Sequence, residues 1–428
     1  MRSCSTKMAR RGRLAADFGL PLTVLLSAFW FCQFAIVAEE VPLIGPKLHF
    51  AVKNDAVWDQ VRRWPLRQWR ERLGFSKALC LLLFEMLEPF LQRRTRGPSQ
   101  TYRNAGRRIK WTPFKCFVLG MIRLRSRSTF LEFRDHWGTT RGGTLVSCLR
   151  SFRDAVTSLR HAFIYFPSSV EDLQRSARHF ARGWGVDCVG VLDGVHIPFV
   201  TADIDFTNRK GNSTMLVLAV VDAFGRFIAA FIGFPGRMND PGAFRFTSMW
   251  RTTLIDLQRL GGFWILCDSI FGGNKSVVPV WDHSDIGPHT PHAKRVCQWA
   301  MIRTRSVVER AFGLLFKKFP WLKEMRVDSA DEAAAWVEAA MILHNIDRMR
   351  FVQENATRRG ADRAIALPDP LDAAPPSELA TRAVLAREGW LAQPRSTVLG
   401  GPADAERIRQ GLIERNGWAD EDAGQDAW

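Results

Sequence analysis

The chain has 428 residues, of which 24% are charged, 46% hydrophobic and 11% aromatic. This composition excludes low-complexity and collagen-like proteins, and at roughly 150 residues per domain it suggests two or three domains. The formal net charge of +17 lies entirely in residues 1–150, which contain 27 basic and 10 acidic residues. Such an asymmetry is typical of a protein that contacts a polyanion with one end, and DNA is the first candidate. The eight cysteines form no CxxC motif, which argues against a zinc ribbon and favours a reducing compartment.

An apolar run at residues 20–38 (LPLTVLLSAFWFCQFAIVA) follows the basic stretch RRGR at residues 10–13. This is the layout of a signal peptide or an N-terminal anchor, so one interpretation is a secreted or membrane-anchored protein. The run contains Pro21 and Ser27 and is barely long enough to span a bilayer, so it is equally consistent with a core helix. We treat residues 1–45 as a separate basic and apolar segment, and we do not expect a membrane partner.

The next region, residues 46–180, is basic, rich in Trp and patterned as helices. Within it, residues 129–150 (TFLEFRDHWGTTRGGTLVSCLR) contain an apolar helix, a break at Gly138 and a second candidate helix. This is the outline of a helix-turn-helix, and a helical hairpin with a basic, solvated face explains the same pattern. Arg and Lys at this density predict salt-sensitive DNA affinity that is independent of base sequence.

Residues 181–350 predict an α/β domain. Short runs rich in β-branched and aromatic residues predict strands at residues 188–192, 215–221, 227–234 and 263–267. Helical patterning predicts helices at residues 241–260, 302–319 and 331–350. Three antiparallel strands, a helix, a fourth strand and closing helices describe a ribonuclease H-like fold. Residues 351–428 are rich in Ala, Pro and Asp, which predicts a disordered or solvated tail.

Three acidic residues stand where an unpaired carboxylate is costly, because Asp193 and Asp268 end apolar strands and Glu309 lies inside an apolar helix. Converging oxygen ligands suit Mg²⁺ or Mn²⁺, and such a site activates water or a 3′-hydroxyl for displacement at phosphorus. Each residue also has an ordinary interpretation. An Asp after a strand forms turns or helix caps, and Glu309 can pair with Arg305 or Arg310.

Six ordered elements between residues 190 and 346 resemble the PIF/Harbinger-type transposases and their domesticated nuclease relatives. The elements are GVLDGVHI, NRKG with DAFGRF, GFPGRMNDPGAF, ILCDSIFG, RTRSVVERAFG and LHN. The resemblance implies a DDE-type, divalent-metal-dependent nuclease of ribonuclease H-like fold that acts on DNA. It assigns catalysis and metal binding to Asp193, Asp268 and Glu309. It leaves Asp240 as an auxiliary ligand or a structural cap.

The same resemblance places a helix-turn-helix at FLEFRDHWGTTRGGTLVSCLRSF, with Phe133 and Trp137 packed inside and Arg141 or Arg150 facing phosphate. It also implies a separate Myb-like DNA-binding protein as a partner, and we expect a nuclear protein that can form homo-oligomers.

Four residues depart from the family pattern: Val195, Asn239, Phe271 and Gln298. None of them is a proposed metal ligand, so catalysis is retained in one interpretation. The alternative is a domesticated, catalytically inactive DNA- or chromatin-binding protein.

Two further clusters contain candidate ligands. His283, His289, His292 and Cys297 lie in one Gly- and Pro-containing stretch, but their spacing matches no tight zinc pattern, so we interpret it as a loop. Arg303 and Arg305 lie one to two helical turns before Glu309, where they are expected to hold a DNA phosphate through charge-assisted hydrogen bonds.

Overall fold

The computed structural model describes residues 61, 63–95, 112–136, 142–201, 203–272, 276–287, 289–359 and 402–415. These residues divide into two compact units. The first contains the described residues up to Met121 together with Glu132–Ser151, and the second contains Ile122–Leu131 and the described residues from Phe152 onward. The apolar run at residues 20–38 lies outside the described ranges, within which no helix is long and apolar enough to cross a membrane.

The N-terminal part of the described chain is helical, in line with its sequence pattern. Its helices are α1 (Leu66–Leu73), α2 (Lys77–Thr95), α3 (Pro113–Arg125), α4 (Phe130–His136) and α5 (Gly142–Thr157). Helices α4 and α5 occupy the predicted helix-turn-helix, and Phe133 is buried as expected. Trp137 and Arg141 lie outside the described residues, so DNA binding by this segment stays a prediction.

The second unit is a mixed α/β domain, which confirms the predicted class at that level. Its elements are α6 (Arg160–Phe163), α7 (Val170–Trp184), β1 (Gly190–Val200), β2 (Thr214–Val221), β3 (Phe227–Pro235), α8 (Asp240–Arg245), α9 (Leu254–Arg259), β4 (Ile265–Cys267), β5 (Val277–Pro279), α10 (His292–Lys318), β6 (Met325–Arg326), α11 (Ala330–Arg359) and α12 (Pro402–Arg415). Helix α7, most of which precedes the predicted domain boundary at residue 180, belongs to this unit. Its Ser176 Oγ donates a hydrogen bond of 2.8 Å to the Val189 carbonyl just before β1.

The main sheet has the strand order β3-β2-β1-β4-β5. Strands β1, β2 and β3 pair antiparallel, whereas β4 pairs parallel with β1 and β5 parallel with β4. Helices cover both faces of this sheet. Leu192, Leu218 and other residues at alternate positions share a buried cluster with α7, α8 and α9, while α10 and α11 pack on the sheet elements as well. Every residue of β2 is therefore buried.

Two predicted helices differ from the observed ones. The predicted helix 241–260 is divided into α8, a π-helical turn at Met249–Thr253 and α9. Helix α10 begins ten residues before the predicted helix, so His292 and Cys297, which were expected in a loop, belong to it.

The predicted solvated tail also differs from the structure. Helix α11 continues to Arg359, and α12 packs on β5 and α10 with Leu412 and Ile413 buried. Arg409 of α12 donates from Nε to the Pro279 carbonyl at 2.9 Å, and its guanidinium lies over the Trp281 ring. The prediction of disorder is therefore wrong for residues 402–415, because buried apolar residues and Arg409 attach this helix to the edge strand.

Candidate active site

Asp193 and Asp268 lie side by side on neighbouring strands. The parallel register pairs Val191 of β1 with Leu266 of β4, so Asp193 is level with Asp268, which directly follows β4. Leu192 and Cys267 belong to the cluster beneath α7, α8 and α9. Side chains alternate between the two faces of an extended chain. Asp193, which follows Leu192, and Asp268, which follows Cys267, therefore point to the opposite face of the sheet.

Helix α10 brings Glu309 to the same place. It packs on β1, β2 and β4, and it carries Arg305 one turn before Glu309. Arg305 Nη2 lies 2.7 Å from Glu309 Oε1, and Nη1 lies 3.9 Å from both Asp193 Oδ2 and Asp268 Oδ2. The three acidic residues predicted from the sequence thus surround one guanidinium.

The protonation of Asp193 reflects this crowded, enclosed position. Burial raises the pKa of Asp193 to about 6, and the charges of Asp240 and Asp268 add to the effect. A hydrogen bond of 2.9 Å from the Gly194 backbone N–H and the charge of Arg305 act in the opposite direction. A carboxylate in this position is ionised at neutral pH at a free-energy cost, which a cation would offset.

Asp240, the predicted auxiliary residue, reaches the site from α8. A Cβ atom built on Gly194 would lie 2.4 Å from Asp240 Oδ2, so the absence of a side chain at Gly194 lets this carboxyl approach the strand. Burial raises the pKa of Asp240, and Asp268 raises it further, whereas His196 lowers it. The charge of Asp240 therefore interacts with those of Asp193 and Asp268.

The two arginines predicted to bind phosphate differ in their surroundings. Arg305 is directed at the carboxylates and not at solvent. Arg303 is exposed, and its guanidinium lies 5.4 Å from the centroid of the exposed Trp299 ring. Arg303 is thus accessible to a polyanion, while Arg305 already has acidic partners.

The donor chemistry of the site fits a hard divalent cation, because Asp193, Asp268 and Glu309 offer only carboxylate oxygens. In the described part of the chain, however, no three His, Cys, Asp or Glu side chains are close enough together to form a metal-binding cluster. Arg305 instead provides the positive charge between the carboxylates. The residue types therefore suit a metal ion, whereas in this structure the three carboxylates are arranged around the Arg305 guanidinium.

The His and Cys stretch at residues 283–297 gives no support to zinc binding. Cys297 is fully buried, and burial raises the pKa of its thiol to about 12. His283 lies in a short 3-10 helix, whereas His292 begins α10. His283 and His292 therefore belong to two different helical elements.

Several of the motif residues have structural roles that the sequence did not reveal. Asn345 Oδ1 accepts from the Phe227 backbone N–H at 2.8 Å, and Nδ2 donates to the Phe227 carbonyl at 2.8 Å. Gln298 forms a similar pair of hydrogen bonds, in which Oε1 accepts from the Trp281 backbone N–H at 3.0 Å and Nε2 donates to the Trp281 carbonyl at 2.8 Å. Asn239 caps α8 by accepting from the Gly242 N–H. Two family departures, Asn239 and Gln298, therefore have clear structural functions, and only the three-dimensional contacts could show them.

The segment that carries Asp193, Asp268 and Glu309 is similar to a class of nucleases. Residues 192–345 match the family model of the DDE superfamily endonucleases, and this segment contains all three proposed ligands. This segment, about a third of the chain, is therefore similar to the DDE superfamily endonucleases.

Individual relatives of the chain bear nuclease names as well. The chain is 25% identical over 282 residues to the "Putative nuclease HARBI1" of Bos taurus and 26% identical over 282 residues to the Homo sapiens protein of that name. Each alignment covers 64% of this chain and 75% of the relative. No solved structure matches the chain significantly. The Harbinger-type resemblance inferred from the motifs is confirmed.

Proposed function

We propose that the protein is a divalent-metal-dependent DNA endonuclease or transposase, which hydrolyses or transfers DNA phosphodiesters in the nucleus. The observation that carries this proposal is the convergence of Asp193, Asp268 and Glu309 on one guanidinium. The strand order β3-β2-β1-β4-β5, with three antiparallel strands followed by two parallel ones, supports a ribonuclease H-like fold.

Each residue has a defined task in this proposal. Asp193 and Asp268 would hold Mg²⁺ or Mn²⁺ from the sheet, and Glu309 would do so from α10. When bound, the metal would lower the pKa of water or a 3′-hydroxyl and stabilise the leaving oxygen at phosphorus. Exposed Arg303 would bind a flanking phosphate, and Asp240 would tune the charge of the site from α8.

Not all of the N-terminal basic charge is free to bind DNA. Arg123 Nη1 donates to the Ser128 carbonyl at 2.8 Å and lies over the Trp321 ring, and Arg125 Nη1 donates to the Lys318 carbonyl at 2.9 Å. These two arginines stabilise the second unit. The candidates for phosphate contacts are exposed residues such as Arg70 of α1 and Arg150 of α5.

The test is nicking of supercoiled plasmid by the full-length protein with Mg²⁺ or Mn²⁺, against EDTA, at low salt. We expect metal-dependent nicking that is lost in Asp193→Asn and Glu309→Gln with plasmid binding retained. The matched control is Asp256→Asn, which neutralises an exposed carboxylate on α9 and should nick like the native protein. Absence of nicking by the native protein, with binding intact, would favour the inactive DNA- or chromatin-binding alternative.

A further inference from the structure

Arg305 is held by the acidic residues of the active site. The ion pair with Glu309 joins residues one helical turn apart at 2.7 Å, which is hydrogen-bond distance. The two 3.9 Å separations from Asp193 and Asp268 are too long for hydrogen bonds but short for unit charges. The guanidinium is thus anchored on α10 through Glu309 and lies electrostatically between the two strands.

This position coincides with the demand for positive charge. Asp193 and Arg305 expose only 17% and 22% of their side chains, so water screens their interaction poorly. A divalent cation bound by both Asp193 and Asp268 would lie within a few ångströms of the guanidinium, and the two positive charges would repel each other. Both cations therefore require the same carboxylates.

We propose that Arg305 is the internal counter-cation of the metal-free site and that a divalent metal ion binds in competition with it. This inference rests on the proposed function, because it assumes that the carboxylates are metal ligands. Binding of the metal ion requires the guanidinium to move away from Asp193 and Asp268, which its flexible stem on α10 permits. The displaced guanidinium is then available for a DNA phosphate, next to Arg303.

The direct test is Mn²⁺ affinity of the full-length protein, measured by calorimetric titration without DNA. Arg305→Gln removes a charge 3.9 Å from the Oδ2 atoms of Asp193 and Asp268, and this should strengthen Mn²⁺ binding at least about tenfold. The matched control is Arg295→Gln, which removes the same charge from an exposed position on the same helix. Its Mn²⁺ affinity should stay within about twofold of native. An unchanged or weaker affinity in Arg305→Gln overturns the proposal.

A second measurement tests the counter-cation role in the absence of metal. It also distinguishes a specific charge effect from general destabilisation of the Arg305 variant. In EDTA, the thermal unfolding midpoint of Arg305→Gln should be lower than that of the native protein. The same substitution should have little effect in an Asp193→Asn, Asp268→Asn background, where two of the charges it balances are absent. An equal loss in both backgrounds contradicts the counter-cation role.

The outcomes separate this proposal from the function on which it rests. If the Mn²⁺ affinity rises as expected but plasmid is not cut, the exchange stands and the nuclease proposal fails. If neither the native protein nor Arg305→Gln binds Mn²⁺, the exchange and the metal-dependent chemistry both fail.

Discussion

Neutralising Asp193 should make the metal-free protein more stable while abolishing catalysis. The pKa of Asp193 is raised from 3.8 to about 6 in the folded protein, mainly by burial. At 1.36 kcal/mol per pKa unit, ionisation of this residue destabilises the fold by about 3 kcal/mol at neutral pH. Asp193→Asn removes that charge and keeps an oxygen that can accept the Gly194 N–H.

The pH dependence follows from the direction of the pKa shift. Because the folded pKa is raised, the native protein has its full relative stability below pH 3.8 and loses it as the pH rises towards about 6. We therefore expect Asp193→Asn to exceed the native free energy of unfolding by about 2–3 kcal/mol at pH 7.5. The difference should approach zero near pH 3.8.

The assay is urea unfolding in EDTA followed by tryptophan fluorescence, at pH 7.5 and in acid, with Asp256→Asn as an exposed control that should match native at both. Adding Mn²⁺ should stabilise the native protein and reverse the order of stability. If Asp193→Asn is no more stable than native at pH 7.5 in EDTA, the carboxylate is not under electrostatic stress and the reasoning is refuted.

Three further predictions concern single positions. In Gly194→Ala the new Cβ would lie 2.4 Å from Asp240 Oδ2, so displacement of Asp240 should reduce metal-dependent nicking; native nicking rates would remove Asp240 from the mechanism. In Gly236→Ala the Cβ would lie 2.3 Å from the Thr214 carbonyl oxygen, and urea unfolding should show a loss of about 1–3 kcal/mol, whereas Gly313→Ala, with nothing within 4 Å, should show none. Burial lowers the pKa of His344 from 6.5 to about 4, so the stability of the native protein relative to His344→Gln should fall by about 3 kcal/mol as the pH falls from 6.5 to 4. The comparison with the variant is needed because protonation of Asp193 acts in the opposite direction over this range, and a stability difference that does not change with pH would contradict the prediction.

Much of the site was accessible from sequence because the relevant signals are local. Asp193 and Asp268 follow runs of apolar, β-branched residues, and such runs predict buried strands whatever lies around them. Glu309 lies in a helical pattern that needs no distant partner. The ordered motifs around these residues predicted the endonuclease family, and the family model confirms it.

The rest depended on contacts between distant parts of the chain. Residues 402–415 have a polar, Ala- and Pro-rich context, and their buried face finds its partners in β5 and α10, which are distant in the sequence. Nothing in the sequence around Asn345 or Gln298 indicates that their side chains form hydrogen bonds with the backbone of Phe227 and Trp281, respectively.

The sequence by itself indicated the three acidic residues and the similarity to DDE endonucleases, because strand patterns, helix patterns and ordered motifs are local properties of the chain. Only the tertiary structure decided that β4 pairs with β1, which brings Asp268 beside Asp193. It likewise directed Arg305 to the carboxylates and left Arg303 exposed, since the choice of partner depends on which face of α10 packs on the sheet.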